Sequence, residues 1–508
     1  MKVYEIMPHT ETRDCMASKW IGDRRFYKSV MIVALPIIVQ NAITTFVNML
    51  DNIMVGQTGT LPMSAVSISN QLMMVLNLLI IGTVNAASIF SAQYYGKEDY
   101  KGMKDCLHFK LYFALFFVTM GIIIFRVFGD RLLLLYMDES VNSAADIATT
   151  LSLAHDYLNI IMIQTIPFAI AVSCGSIIRE AGNTVLSMRA SIVAVALNFV
   201  GNYVLIFGHF GFPKLGVIGA AIATVFARFV EMAIILIGEY RMRDQYPFFH
   251  KLFADPLIPG SLLKKIAVKG SPLIANEVLW SIGIAAISQC YSTRGLESIA
   301  AINISSTVNT VFMIANMAIG MSISIIIGPK LGAGDFEDAV STEYKLIGMA
   351  LFFNLILGII MFATAPLFPL VYNTTDHVRT LAGIFLRIMA CMLPAQALYN
   401  ACYFTLRAGG RTMMTFMFDS GFTCAINFPI AFMLTRFTSL PIVTIYLIIQ
   451  LIDIPKATVG SILLKKGVWL NNIRECRCGR FCSRLCEASR PPTRRPPPWS
   501  AAGGFSPC

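Results

Sequence analysis

Charge is scarce in this sequence. Only 14% of its 508 residues are charged, whereas an average soluble chain has about 25%. The six histidines show no metal-ligand spacing, and no Gly-x-x-x-x-Gly-Lys segment occurs, which excludes a phosphate-binding loop through which ATP could act. No pattern of catalytic residues is present. The sequence therefore predicts neither an enzyme nor a protein that depends on a cofactor or a metal.

A removable signal peptide is also lacking. Residues 1-26 are polar, with no apolar core before a small-residue cleavage site, so we expect them to form a cytoplasmic N-terminal segment. Seven of the twelve cysteines show no repeated spacing, which favours reduced, structural thiols.

The C-terminal end differs in composition. Residues 474-508 are rich in Arg, Pro and Cys and predict a disordered tail or an out-of-frame end. Metal binding is a weaker alternative, because zinc modules prefer paired Cys-x-x-Cys spacing. The cysteines concerned are Cys476, Cys478, Cys482 and Cys486.

Long apolar runs dominate the rest. Hydrophobic residues make up 56% of the chain, and twelve runs are each long enough to cross a hydrocarbon core of roughly 30 Å. Lipid offers no hydrogen-bond partners, so such spans must be helices. The sequence thus predicts an all-α polytopic membrane protein with twelve transmembrane helices. The runs are 29-53, 64-92, 107-128, 155-178, 185-207, 216-240, 267-291, 298-327, 344-367, 378-405, 413-435 and 441-464.

The net charge of +11 is unevenly placed. Basic residues gather before the first run, after the second and after the sixth, while the alternate connections have about one each. This asymmetry places both termini and the middle connection in the cytoplasm, and it argues against a nucleic-acid partner. The connection after the second run contains Lys97, Lys101, Lys104 and Lys110.

The sequence repeats itself. Residues 34-102 align with 270-338 at a constant offset of 236, and a second match follows at an offset near 228. We therefore expect two six-helix halves, 27-240 and 267-473, joined by a cytoplasmic linker, 241-266, that is either an amphipathic helix or a solvated loop. Six spans return each half to the same side, so the pseudo-twofold axis lies along the membrane normal. Matched residues predicted to be scaffold are Pro36, Pro272, Gly182 and Gly410.

The first span has one polar face. Gln40, Thr44, Asn48 and Asp51 follow at spacings of four, four and three, so they share a side of a helix. This face predicts the lining of a water-filled substrate cavity. The alternative is that Asp51 is an acid at the outer end of the helix.

Spans five and six add further polar groups. Asn198 and Asn202 lie one turn apart in span five, and Thr224 lies in span six. Arg228 and Glu231, three residues apart, predict a structural ion pair.

The seventh span contains a carboxylate with no basic neighbour within one turn. Glu277 shares a face with Ser281 and Ser288, beside Trp280, and a desolvated carboxyl can bind and release protons. The alternative is a helix-paired or snorkelling Glu. Near the C-terminal end, Asp453 and Lys456 are expected to neutralise each other.

Five segments together resemble the MATE (multidrug and toxic compound extrusion) family of secondary transporters, with the resemblance covering roughly residues 25-470. Residues 276-280 resemble a bacterial subgroup with Asn-Glu-x-x-Trp. The segments are 34-59, 176-184, 196-224, 301-335 and Lys466-Gly-Val-Trp469.

The resemblance implies a cell-membrane antiporter that exports small amphipathic, often cationic compounds in exchange for a proton or sodium ion, and we expect it to act as a monomer. Asp51, Asn198 and Thr224 match ion-coupling residues of one branch, in which an Asp occupies the position of Asn202. Glu277 lies in the span that provides the acid of another branch, three residues closer to Pro272.

We therefore expect Asp51 and Glu277 to be the ion-responsive carboxylates, one in each half. Two other functions are compatible with the sequence. A lipid-linked oligosaccharide flippase of the same superfamily would need basic residues in its cavity for a pyrophosphate. A non-transporting receptor or scaffold would need no buried acids.

Overall fold

A computed structural model describes residues 20–136, 144–249, 257–372 and 374–471. Within these ranges the chain is helical, contains no strand, and has twelve helices long and apolar enough to cross a membrane, which confirms the predicted all-α polytopic fold. The C-terminal tail with its four cysteines lies outside the described residues. The helices are α1 Arg24–Gly56, α2 Leu61–Gly96, α3 Tyr100–Leu134, α4 Ala145–Glu180, α5 Val185–Phe207, α6 Val217–Arg241, α7 Gly260–Ser292, α8 Glu297–Ala333, α9 Phe336–Thr364, α10 Asp376–Ala408, α11 Thr412–Phe437 and α12 Ile442–Lys465.

Two of these helices depart from regular α geometry. A 3-10 turn, Met162–Gln164, interrupts α4. In α11, two π-helical turns, Met417–Gly421 and Thr423–Asn427, separate α-helical ends. Because α7 begins at Gly260, residues 260–266 of the expected linker extend the seventh span.

The two halves, α1–α6 and α7–α12, make their most extensive contacts through three helix pairs. Helix α1 packs on α8, α7 packs on α2, and α2 packs on α8. The first two pairs exchange under the repeat and the third maps onto itself, as a twofold axis requires. The face of the bundle at which α1 begins and α12 ends is called the terminal face below.

Prolines inside α1 and α7 occupy matching positions but are accommodated differently. Pro36 has no N–H, so it leaves the carbonyl of Ile32 without a helical partner. Thr184, at the start of α5, donates to that oxygen at 3.4 Å. In the second half Pro272 frees the carbonyl of Val268, which accepts from Ser271 at 3.3 Å.

The matched glycines terminate helices. Gly182 and Gly410 follow α4 and α10 with φ of 90° and 68°. This is the left-handed conformation that glycine adopts without strain, and it turns the chain into the next span.

Two basic residues inside the first half are paired with acids. Arg228 Nη1 donates to Glu231 at 2.7 Å, as predicted. Lys110 was expected in a connection, but it is fully buried in α3, where its ammonium lies 2.7 Å from Glu180. That expectation was wrong, because α3 begins at Tyr100 and the Glu180 carboxylate on α4 stabilises the buried lysine.

Cysteines within the described residues are free, as expected of reduced thiols. Most of them are enclosed among apolar helices, and one is exposed. They are Cys106, Cys174, Cys290, Cys391, Cys402 and Cys424.

Candidate functional site

Asp51 lies where three helices of the first half meet. Its carboxylate, near the end of α1 opposite the terminal face, accepts from Asn202 Nδ2 of α5 at 2.8 Å. With its amide nitrogen turned toward α1, Asn198 donates to both Asp51 oxygens at 3.2 and 2.7 Å, and its oxygen accepts from Thr224 at 3.0 Å. Four residues singled out in the sequence thus form one cluster, called the Asp51 site.

The Asp51 site contains neutral donors but no cationic partner among the described residues. One acceptor is unused, since Asn202 Oδ1 is buried and has no hydrogen-bond donor. Orphaned buried oxygens of this kind usually contact water or an ion. A carboxylate beside such an oxygen is suited to hold a small monovalent cation or a proton.

A second polar chain begins on α1 at Gln40, nearer the terminal face than Asp51 is. Gln40 Nε2 donates to the Ser191 hydroxyl at 2.8 Å, and Ser191 donates to Glu231 at 2.7 Å. The chain ends at Arg228, which also lies 5.2 Å from the centre of the Phe168 ring. Gln40 is therefore held by α5 and α6. Ser191 was not among the predicted residues, although it shares a helix face with Asn198 and Asn202 through spacings of seven and four.

The other polar residues of α1 fall into two kinds. The Thr44 hydroxyl donates to the carbonyl of Gln40 at 2.8 Å and stays within its own helix. Asn48 is exposed, one turn before the half-buried Asp51.

The residues predicted on α7 do not form one cluster. Glu277 and Ser281 are half-buried, whereas Trp280 and Ser288 are exposed. Ser288 lies about 16 Å along the helix from Glu277, at 1.5 Å per residue. Arg407 of α10 and Asp419 of α11 act on Glu277 electrostatically. Both lie on other helices, so the residues next to Glu277 in sequence did not reveal its charged surroundings.

Lys456 pairs with a different acid from the one expected. Its ammonium lies 2.9 Å from Asp419 Oδ1 on α11, while Asp453 accepts from Gln396 at 3.3 Å. The expectation that Asp453 and Lys456 neutralise each other holds only in part. Lys456 acts on Asp453 electrostatically, but its ammonium contacts Asp419, because α12 packs against α10 and α11. Asp419 Oδ2 also accepts from Asn276 at 3.1 Å.

Two helical halves around a pseudo-twofold axis, with carboxylates and amides inside the bundle, define a multi-pass membrane transporter. A family model described as MatE matches residues 36–204 and 272–433, one stretch in each half. The chain belongs to the MatE family. The resemblance seen in the sequence is confirmed, and the protein is a transporter of the cell membrane rather than an enzyme.

Curated relatives are similar over most of their length. A probable multidrug resistance protein NorM of Thermotoga maritima is 24% identical over 446 residues, covering 87% of this chain and 93% of the relative. A protein of the same description from Bacillus cereus is 27% identical over 367 residues, covering 71% and 77%.

Solved structures show the same fold. The Vibrio cholerae MATE transporter VcmN in its bent form superimposes with a TM-score of 0.78 at 18% identity, over 89% of this chain and 98% of that one. A multidrug resistance MATE family transporter of the MOP superfamily, described in an outward-facing conformation, gives a TM-score of 0.78 at 18% identity, over 90% and 99%.

Proposed function

We propose that the protein exports small amphipathic, often cationic compounds from the cell in exchange for a proton or a sodium ion. The relatives described as multidrug resistance proteins support the substrate class. The observation that carries the coupling is the Asp51 site, in which a carboxylate is held by Asn198 and Asn202 and no cationic side chain of the described residues lies beside it.

Two orientations of one amide suit two states of Asp51. An ionised carboxylate accepts from Asn198 when the amide nitrogen faces it. In the opposite orientation the nitrogen donates to Thr224 at 3.0 Å, and the amide oxygen faces Asp51, where only a protonated carboxyl can donate to it. Proton binding at Asp51 would therefore turn the Asn198 amide and change the hydrogen bonds that α5 and α6 make with α1.

A sodium ion would use the same groups. Carboxylate, amide and hydroxyl oxygens are the ligands that hard cations prefer, and the unused Asn202 Oδ1 is one of them. An ion or proton at Asp51 removes the charge that would attract a cationic substrate. Ion and substrate then bind in alternation rather than together.

Helix α1 links this site to the contact between the halves. Val33 and Ile37, nearer the terminal face, pack with Ala318 of α8. A ligand can shift a conformational equilibrium only by binding the conformations with unequal affinity. Because α1 belongs both to the Asp51 site and to the contact between the halves, a movement of α1 would change the affinity of the site. We further propose that the terminal face is cytoplasmic and that one chain transports alone.

Basic residues inside the bundle argue against the oligosaccharide flippase. Three of the lysines and arginines at depth are already paired with an acid: Lys110 with Glu180, Arg228 with Glu231, and Lys456 with Asp419. Because these side chains already bind acids, they are not free to bind a pyrophosphate.

Purified protein in liposomes should concentrate a fluorescent organic cation when a proton or a sodium gradient is imposed. Each gradient is imposed separately, and the one that drives accumulation identifies the coupling ion. The same liposomes with both gradients collapsed are the control. Failure of both gradients to drive accumulation would contradict the antiport.

Removing residues 474–508 should leave transport unchanged, because the Asp51 site and the interface helices lie before residue 472. Efflux from cells that express the truncated and full-length chains at equal levels measures this. A receptor or scaffold acting through the tail would instead lose its activity, so loss of function on truncation at unchanged expression would favour that class.

A further inference from the structure

Within the fifth span of each half, the second repeat contains one residue more than the first. Between the halves, Thr184 corresponds to Thr412 at an offset of 228, whereas Asn198 corresponds to Asn427 at an offset of 229. One inserted residue in a helix is what produces a π-helical turn. The two π turns of α11 span residues 417–427, within the interval where the offset changes, while the equivalent α5 is a continuous α-helix.

The π segment fixes Asp419 between three helices. Asp419 lies in its first turn, and its two carboxylate oxygens accept from Lys456 of α12 at 2.9 Å and from Asn276 of α7 at 3.1 Å. The next residue, Ser420, donates to Asn276 Oδ1 through its hydroxyl at 2.7 Å and its backbone N–H at 3.2 Å. π-helical turns are often found at functional sites, and here the turn orients an acid.

Aromatic rings complete an enclosure around the lysine ammonium. Lys456 Nζ lies 4.4 Å from the centre of the Tyr399 ring and 5.7 Å from that of Phe418, and its side chain is 5% exposed. A carboxylate combined with aromatic faces binds ammonium groups strongly when water is excluded. We call this arrangement the Asp419 cage; it comprises Asp419, Asn276, Tyr399 and Phe418.

The Asp419 cage and the Asp51 site share their chemistry. In each, an asparagine amide donates to a half-buried carboxylate, at 3.1 Å in the cage and 2.8 Å at Asp51. They differ in the cation. Among the described residues no cationic side chain contacts Asp51, whereas the ammonium of Lys456 contacts Asp419.

We propose that the Asp419 cage is a cation site whose resident cation is the tethered Lys456, which takes the place that a free ion takes at Asp51. The inference rests on the proposed antiport. The Asp419 cage is then filled by the protein's own chain, and of these two sites only the Asp51 site exchanges a cation with solution. The two sites together therefore bind one coupling ion per cycle.

If the Lys456 ammonium is removed, the Asp419 cage should bind a free coupling ion in its place. In liposomes, the transport rate of the full-length wild type should depend on the coupling-ion concentration with a Hill slope of about one. For Lys456→Ala the slope should be about two, because two sites must then bind an ion. Transport by Lys456→Ala should fall about tenfold, because a buried acid loses its partner. Added n-propylammonium, which matches the deleted atoms, should restore the rate and the slope; 1-propanol should not.

Two comparisons keep the inference falsifiable. Lys456→Met combined with Asp419→Asn removes both the ammonium and the carboxylate that binds it, and this variant should transport with a slope of about one. If the combined variant is folded in the membrane and fails to transport, the inference is overturned. Lys110→Ala removes another buried lysine, and its slope should stay at that of wild type. The same change of slope in Lys110→Ala, or an unchanged slope in Lys456→Ala, would also overturn it. Absence of ion-driven transport by wild type would instead contradict the proposed function.

Discussion

Replacing Asp51 by Asn is expected to abolish ion-driven accumulation of substrate while leaving the protein folded in the membrane. The amide has nearly the same shape and can still bond Asn202, but it cannot bind a proton or balance a cation. Substrate could then move only down its own gradient. Accumulation of a fluorescent cation by liposomes under an imposed ion gradient measures the effect.

The size of the loss follows from the driving force. A one-for-one exchange of a proton or sodium ion for a monovalent cation moves no net charge, so the potential, worth about 2.3 kcal/mol per charge at 100 mV, does not contribute. A tenfold ion gradient is worth about 1.4 kcal/mol and can sustain a substrate ratio of about ten. For Asp51→Asn we expect a ratio of about one under the same gradient.

A matched change outside the site separates coupling from general damage. Asp376 begins α10, its side chain is 95% exposed, and it pairs with Arg379 at 3.0 Å. Exposed pairs of this kind contribute about 0–1 kcal/mol, so Asp376→Asn should retain the wild-type ratio. Asp51→Asn protein that still accumulates substrate as wild type does would exclude Asp51 as the coupling acid.

Most of the Asp51 site could be predicted because its members follow helical spacing or match family positions. Asp51 ends a polar face of α1, Asn198 and Asn202 lie one turn apart, and Thr224 lies on the adjacent α6. Helical periodicity indicates which side chains share a face, and the short connection between α5 and α6 brings those helices together. The structure adds the pairwise geometry and the unused oxygen of Asn202.

Long-range pairs were less predictable. Lys456 has Asp453 three residues away, yet its ammonium contacts Asp419, 37 residues away in sequence. Helix α10, which packs against α12, provides Tyr399 of the cage. Local spacing cannot show such contacts, because they depend on how the helices are arranged. The sequence did contain a signal for the π turns, namely the change of the offset between the repeats from 228 to 229. The structure shows that this extra residue lies in the π-helical segment of α11.

Adding a methyl group at Gly96 or Gly332 is expected to shift the transporter away from the conformation described here. A Cβ on Gly96 would lie 1.8 Å from the carbonyl oxygen of Pro329, and a Cβ on Gly332 would lie 2.0 Å from that of Gln93. The two contacts are equivalent under the offset of 236. Helices α2 and α8 therefore cross backbone to backbone at the terminal face, and only glycine permits it.

The overlap has to be relieved by moving a helix, because the atoms approached are backbone atoms rather than flexible side chains. Gln93 also bonds the carbonyls of Ala408 at 3.1 Å and Asn471 at 3.3 Å, which ties the crossing to the end of α10 and the chain after α12. Reversing a 99:1 preference between conformations takes about 5.5 kcal/mol. We expect Gly96→Ala to part α2 and α8 and to lower transport more than about tenfold.

Spin labels at residues 101 and 337, which are exposed and equivalent under the repeat, report the separation at the terminal face. In a chain whose other cysteines are replaced by Ser, the label distance should lengthen in Gly96→Ala and in Gly332→Ala. Gly260→Ala is the control, since a Cβ there meets nothing within 4 Å, and it should keep both distance and transport. If the distance stays unchanged in both interface variants, the crossing does not hold the terminal face closed. If it lengthens in both while transport falls, closure of that face depends on two glycines that the duplication placed in register.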